Sequence, residues 1–143
     1  TWRGTTIAVK RFYRQKATEQ TLLELRKESV LMSQLRHPNV LLFLGACIVP
    51  PNLCVVTEYM NKGCVGDLLR SPAPLSWTQR IKMIKGIAQG MNYLHSCTPP
   101  VIHRDLTSYN ILVRLARSLS LFFISLLNSS NLPITCMPTY IGR

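Results

Sequence analysis

Hydrophobic positions change period repeatedly along the chain, and each change marks a predicted element. Thr5 to Arg11, TTIAVKR, is rich in β-branched residues and ends on basic ones, which predicts a short strand. From Thr18 to Leu35 the apolar residues Leu22, Leu25, Met32 and Leu35 are spaced for one helix face, with good helix formers between them. That helix must end before His37-Pro38, because a residue preceding proline avoids the helical region. Val40–Phe43 and Leu53–Thr57 predict two further strands, joined through Gly45 and the turn Pro50-Pro51-Asn52. Asn61 to Gly66 reads as a loop. Ser76-Trp77-Thr78-Gln79 has the S-x-x-Q form of a capping box, and Ile81, Ile84, Ile87, Met91 and Leu94 then repeat at helical spacing. A helix over Trp77–His95 follows. Pro99-Pro100 closes it, and Val101–Val113 holds two short apolar pieces around HRDLTSYN. There is no internal repeat. Strand, helix, strands, loop and long helix, in that order, suit an α+β chain with a small sheet-rich part beside a helical one.

Composition changes this picture little. An apolar fraction of 47% with 16% charged residues is that of a globular chain. Seventeen Lys and Arg face six Asp and Glu, a formal charge of +11. The basic residues are scattered rather than clustered, and no acid follows Asp105, so the excess reflects missing acids more than a nucleic-acid footprint. The five cysteines, Cys47, Cys54, Cys64, Cys97 and Cys136, have no zinc-ligand spacing and read as free thiols of a reducing, cytoplasmic compartment. The N-terminal TWRGTTIAVKR is not a signal peptide.

The chemistry lies in a few short motifs. His103-Arg104-Asp105-Leu106 followed by Asn110 fits H-R-D-L-x-x-x-N. In-line phosphoryl transfer needs a carboxylate at the attacking hydroxyl and a metal ligand close by, and a tight loop can present both. Ile7-Ala8-Val9-Lys10 matches the V-A-I-K strand, and Glu28 stands on the helix that follows. His37-Pro38-Asn39, Thr57 before Glu58-Tyr59-Met60, and Gly63 come next in order. Taken singly, Lys10 is a solvated strand-end lysine, Glu28 a surface helix acid and His103 a core histidine. Met32 and Phe43 are plain packing. Only the joint pattern moves Lys10, Glu28, Asp105 and Asn110 toward function.

In that order these motifs resemble the protein kinase domain. The runs LRHPNVLLFLGAC, VTEYMNKG and GIAQGMNYLHS are most similar to the tyrosine-kinase-like group that includes the Raf-like serine/threonine kinases. The resemblance implies a two-lobed kinase fold, truncated here. Residues 1–60 would belong to the N-lobe and the start of the hinge, and 61–113 to the C-lobe through the catalytic loop. It implies transfer of the ATP γ-phosphate to a protein hydroxyl, of serine or threonine in most of the group, with Mg2+. Lys10 would grip the α- and β-phosphates, locked by Glu28. Asp105 would take or orient the substrate proton, and Asn110 would hold the metal. Ala8 and Leu112 would enclose the adenine, Thr57 would be the gatekeeper, and the backbone of Glu58 and Met60 would meet the adenine edge. Cys64 would lie near the ribose. Met32, Phe43 and His103 would join the internal spine. Arg36 matches a basic position of side-to-side kinase dimers, which implies a partner on the face of the Glu28 helix. Thr107 stands where serine/threonine kinases commonly carry a lysine.

Three family parts are not found: a glycine-rich loop before Lys10, a DFG after Asn110, and an activation segment with APE. The chain is therefore expected to show little activity alone, with a non-catalytic interaction module or a non-functional truncated product as the alternatives. Residues 114–143 resemble nothing in the family and are expected to be poorly ordered, as translated non-coding sequence would be. Their apolar peak, Ser118–Leu127, is too short for a membrane span, which needs about 20 residues.

Overall fold

A computed structural model describes residues 1–12, 18–72 and 74–114, together with the backbone of 119–121. Apart from Arg114 and the backbone of 119–121, the tail expected to be poorly ordered lies outside the described residues. The described residues divide into two compact units, the first taking in 1–12, 18–35 and 42–59 and the second 36–41, 60–72, 74–114 and 119–121.

The first unit holds a three-stranded antiparallel sheet and one helix. Strand β1 (Ile7–Arg11) and β2 (Phe43–Cys47) flank a central β3 (Cys54–Glu58), in the order β1-β3-β2. Ala8 stands opposite Thr57, and Lys10 opposite Val55. Before β1, Trp2 and Thr5 exchange backbone hydrogen bonds of 2.8 and 2.9 Å around Arg3 and Gly4, both at positive φ, the two-residue turn that suits strand twist. Helix α1 (Glu19–Gln34) starts where the Thr18 hydroxyl accepts from the Thr21 N–H and stops where Leu35 turns extended. Its apolar stripe puts Leu25 and Met32 against Phe43, Leu53 and Val55, with Phe12, Leu22, Ala46 and Ile48 around them. Fully burying a side chain of this kind contributes about 1.5–3 kcal/mol, so this cluster holds the helix on the sheet.

The strand boundaries differ from the sequence reading, and the first strand begins at Ile7, not Thr5. The second strand begins at Phe43, not Val40, and the third runs one residue later than expected. Val-Leu-Leu-Phe-Leu is an unbroken apolar run whose start as a strand no periodicity can fix. The pairing decides it. The Glu58 N–H donates to the Leu42 carbonyl (3.0 Å), and the Leu42 N–H donates to Glu58 Oε1 (2.8 Å), which ends the ladder there. Val40 and Leu41 are buried members of the second unit.

The second unit is built around α3 (Trp77–Ser96). Its capping box forms as expected: Ser76 N–H donates to Gln79 Oε1 (2.7 Å), and Gln79 N–H to Ser76 Oγ (3.2 Å). The buried face matches the expected one only in the second half of the helix. Gly86, Gly90 and Leu94 are buried, with Met83, Ile87 and Met91 packed against Ile111. Ile81 and Ile84, expected in the core, are exposed, as is Trp77 at 74%. His37 stacks on Tyr93, with ring centroids 4.8 Å apart, and the Tyr93 hydroxyl accepts from the Arg36 N–H (2.9 Å), so the His-Pro-Asn turn is fastened to α3.

Helix α2 (Val65–Arg70) occupies part of what reads as loop in the sequence, because six residues are too few to show a period. A short hairpin of β4 (Ile111–Val113) and β5 (Leu119–Leu121) completes the unit, with Leu112 opposite Ser120. No helix among the described residues is long and apolar enough to cross a membrane.

Candidate functional site

In the first unit, β1 and α1 present Lys10 and Glu28. Lys10 is half-buried beside the Phe12 ring, its Nζ 5.7 Å from the centroid. Glu28 is 2% exposed, and neither carboxylate oxygen accepts a hydrogen bond from the described residues. Burial pushes the Glu28 carboxyl up to about 7, and the Lys10 charge opposes that rise. Burial in turn lowers Lys10 from its ordinary value, against the field of Glu28. The two groups therefore sense each other across a poorly solvated space, and the carboxylate keeps its lone pairs open to a donor.

Around them, Ala8 is half-buried on β1 opposite the buried Thr57, whose hydroxyl donates to the Glu58 carbonyl (3.2 Å). The Glu58 side chain has a task that its sequence position did not suggest. By accepting from Leu42 it ties the chain entering β2 to the end of β3.

In the second unit, the segment His103–Asn110 forms a tight, self-bonded loop. His103 is buried, and its carbonyl accepts from the Asp105 N–H at 2.9 Å, which puts Arg104 at a φ of 63°. A non-glycine residue held there stores about 1–3 kcal/mol of strain. The Asp105 carbonyl then accepts from Thr107 N–H (3.1 Å), and the Thr107 carbonyl from Asn110 N–H (3.0 Å). Asn110 is 1% exposed and donates from Nδ2 to the Asp105 carbonyl (2.9 Å) and to Asp105 Oδ2 (2.7 Å). Its Oδ1 is buried with no hydrogen-bond partner among the described residues. One end of the amide thus fixes the carboxylate, and the other offers a bare, desolvated lone pair, the kind of atom a hard cation can use. Among the described residues, no three His, Cys, Asp or Glu side chains gather as a metal site.

The neighbouring candidates sit as follows. Met60 is buried, and Leu112 is half-buried and bridged to Cys64. The Cys64 thiol is buried and engaged at the start of α2: it donates to Asp67 Oδ2 (2.9 Å) and accepts from the Asp67 N–H (3.4 Å). That bond from Cys64, followed by one from Arg70, holds the Asp67 carboxyl below the usual carboxylate range. Asp67 also pairs with Arg70 at 2.8 Å, and Arg70 donates to the Tyr109 hydroxyl.

This α2 support was not evident in the sequence. Gly66 N–H donates to the Ser108 carbonyl (2.9 Å), and a Cβ on Gly66 would stand 3.0 Å from the Tyr109 ring. A side chain there would crowd the Tyr109 ring and the Ser108 hydroxyl, which lie directly on the helix. A lone glycine in an apparent loop gave no signal of that contact.

Comparisons with known proteins show the family of the chain. The family profile described as protein tyrosine and serine/threonine kinase matches residues 2–122, so the chain belongs to the protein kinase family. A putative serine/threonine-protein kinase/receptor of Acanthamoeba polyphaga mimivirus is 45% identical over 113 residues, which cover 78% of this chain and 7% of the relative. A probable serine/threonine-protein kinase of Dictyostelium discoideum is 46% identical over 114 residues, 79% of this chain and 18% of the relative. One from Arabidopsis thaliana is 48% identical over 113 residues, 78% of this chain and 11% of the relative. The chain thus spans a small part of the length of the relatives it matches.

Proposed function

We propose that this chain carries the nucleotide-anchoring and catalytic-loop residues of a kinase that transfers the ATP γ-phosphate to a serine or threonine hydroxyl. The observation that carries the reading is the Asn110 amide, which holds the Asp105 carboxylate at 2.7 Å while its own Oδ1 stays buried and unbonded. An aspartate so fixed can orient an attacking hydroxyl and take up its proton without first reorganising. Lys10 supplies a partly desolvated ammonium for phosphate oxygens, and Glu28 positions that ammonium. Ala8, Thr57, the backbone of Glu58 and Met60, Cys64 and Leu112 are the adenosine-side residues of this reading, residues 1–60 and 61–113 its two lobe sections. The face of α1 near Arg36 is its surface for a second kinase.

A divalent ion, Mg2+ in this reading, supplies charge neutralisation on the transferred phosphoryl group when bound. Asn110 Oδ1 fits one of its ligand positions. Residues 106–143 contain no Asp or Glu, so none of them adds a carboxylate beside Asn110 Oδ1. The second reading is a non-catalytic, pseudokinase-like interaction module.

One experiment separates the two. The chain is incubated with magnesium and γ-labelled ATP and a generic protein substrate, beside Asp105→Ala, and nucleotide binding is measured in parallel. Label transfer that disappears in Asp105→Ala supports catalysis. Binding that weakens in Lys10→Met, with no transfer, supports the module. Absence of both overturns the nucleotide site.

A further inference from the structure

The outer face of the first unit's sheet carries two cysteines that the nucleotide reading does not use. Cys47 on β2 and Cys54 on β3 are register partners in the antiparallel ladder, next to the pair Ala46 and Val55. Directly opposed residues in such a ladder project from the same face of the sheet, with Cα atoms about 4.5–5.5 Å apart. That separation falls inside the roughly 4.4–6.8 Å that a disulfide spans. The face is the outer one: Val55 and Leu53, which alternate with Cys54, are buried against α1, whereas Val9 across from Val56 is 49% exposed.

Both thiols are free and partly accessible. The other described cysteines differ. Cys64 is buried at the start of α2, and Cys97 donates to the Tyr93 carbonyl at 3.4 Å. Cys47 has only a long contact to the Val49 carbonyl, at 3.8 Å, so little holds its sulfur away from its neighbour. Arg11 stands opposite Cys54 on its other side, which places a cation in the same cross-strand row and favours an anionic thiol oxidant there.

We propose that Cys47 and Cys54 are a modification site: an oxidised low-molecular-weight disulfide such as oxidised glutathione converts them to an intrachain cross-strand disulfide. One thiol, as thiolate, attacks a sulfur of the oxidant, whose disulfide bond breaks and releases one reduced glutathione. The second thiol then attacks the mixed disulfide, forms the Cys47–Cys54 bond and displaces the other glutathione. Two cysteine thiols are oxidised, one external disulfide is reduced, and the two cysteine protons end on the two released thiols. The new bond closes the turn through Pro50 and Pro51 and staples β2 to the central strand that carries Thr57 and Glu58.

The test uses the whole chain, treated with oxidised glutathione when folded and, separately, in denaturant. Free thiols are titrated over time, and the products are mapped by peptide mass spectrometry. Two of the five thiols should be lost first in the folded chain. They should appear as a linked Cys47–Cys54 peptide lacking two hydrogens and should return with dithiothreitol. The link should form more slowly in denaturant, where the ladder no longer holds the pair. If Cys47 and Cys54 each carry a separate glutathione, or pair with Cys64, Cys97 or Cys136, the proposal is overturned. The same holds if folded and unfolded chains cross-link at equal rates.

Discussion

Asn110 grips Asp105 twice, through its backbone carbonyl at 2.9 Å and its carboxylate at 2.7 Å, from a side chain that is itself buried. The loop depends on this amide as a donor. Asn110→Ala removes two hydrogen bonds to Asp105 in a partly buried place, while the Asp105 carbonyl keeps the one from the Thr107 N–H, and should cost about 1–3 kcal/mol. Asn110→Asp should be worse than alanine, because it replaces the donor with a second carboxylate facing the first. Urea unfolding of the three chains, compared by midpoint at constant slope, checks the order.

Glu28 should make stability fall with rising pH. Its folded pKa is about 7, against 4.5 for the free group, so the folded state binds the proton more tightly. Below about pH 4.5 the carboxyl is neutral in both states and the full stability is present. Between 4.5 and 7 the unfolded chain ionises first, and stability declines through that window by something on the order of 3 kcal/mol before levelling. Glu28→Gln should flatten this portion of the curve. Thermal melts of both chains across pH 4 to 8 decide it, and parallel curves would refute the assignment.

Gly66→Ala should destabilise the loop that carries Asp105. The added methyl meets Tyr109 ring atoms at 3.0 and 3.1 Å and Ser108 Oγ at 3.2 Å, an overpacking worth about 1–3 kcal/mol. Tyr109→Ala removes the ring, so the double variant should cost less than the sum of the single ones. A double-mutant cycle on melting temperature reads this coupling.

Ser76→Ala removes the acceptor that receives the Gln79 N–H at 3.2 Å and should cost about 1 kcal/mol. Ser76→Asp keeps an acceptor there and should restore most of it. Circular dichroism melts suffice, since α3 supplies much of the helical signal.

How much was legible in advance can be judged from particular residues. The strand bearing Lys10, the helix bearing Glu28 and the cap at Ser76 could be read because each rests on local chemistry: β-branching, helical spacing, a side chain bonding its own backbone. The start of β2 could not be read, since Val40 and Phe43 sit in one apolar run and only pairing across to Glu58 separates them. Ile81 and Ile84 misled for a related reason. Helical spacing identifies an apolar stripe, but which of its turns are packed depends on what lies against them: Ile87 meets Ile111, whereas Ile81 and Ile84 are exposed.

By itself, the sequence determined the family, through short motifs in a fixed order whose residues are dictated by phosphoryl-transfer chemistry. It also determined the local elements that hydrogen-bond within themselves. Tertiary structure alone decided that the Asn110 oxygen is left bare, that Glu28 is buried enough to hold its proton near neutrality, and that two cysteines seven positions apart stand side by side. The reason is physical: burial, register and desolvation are properties of what surrounds a residue, and the surroundings come from segments distant in the chain.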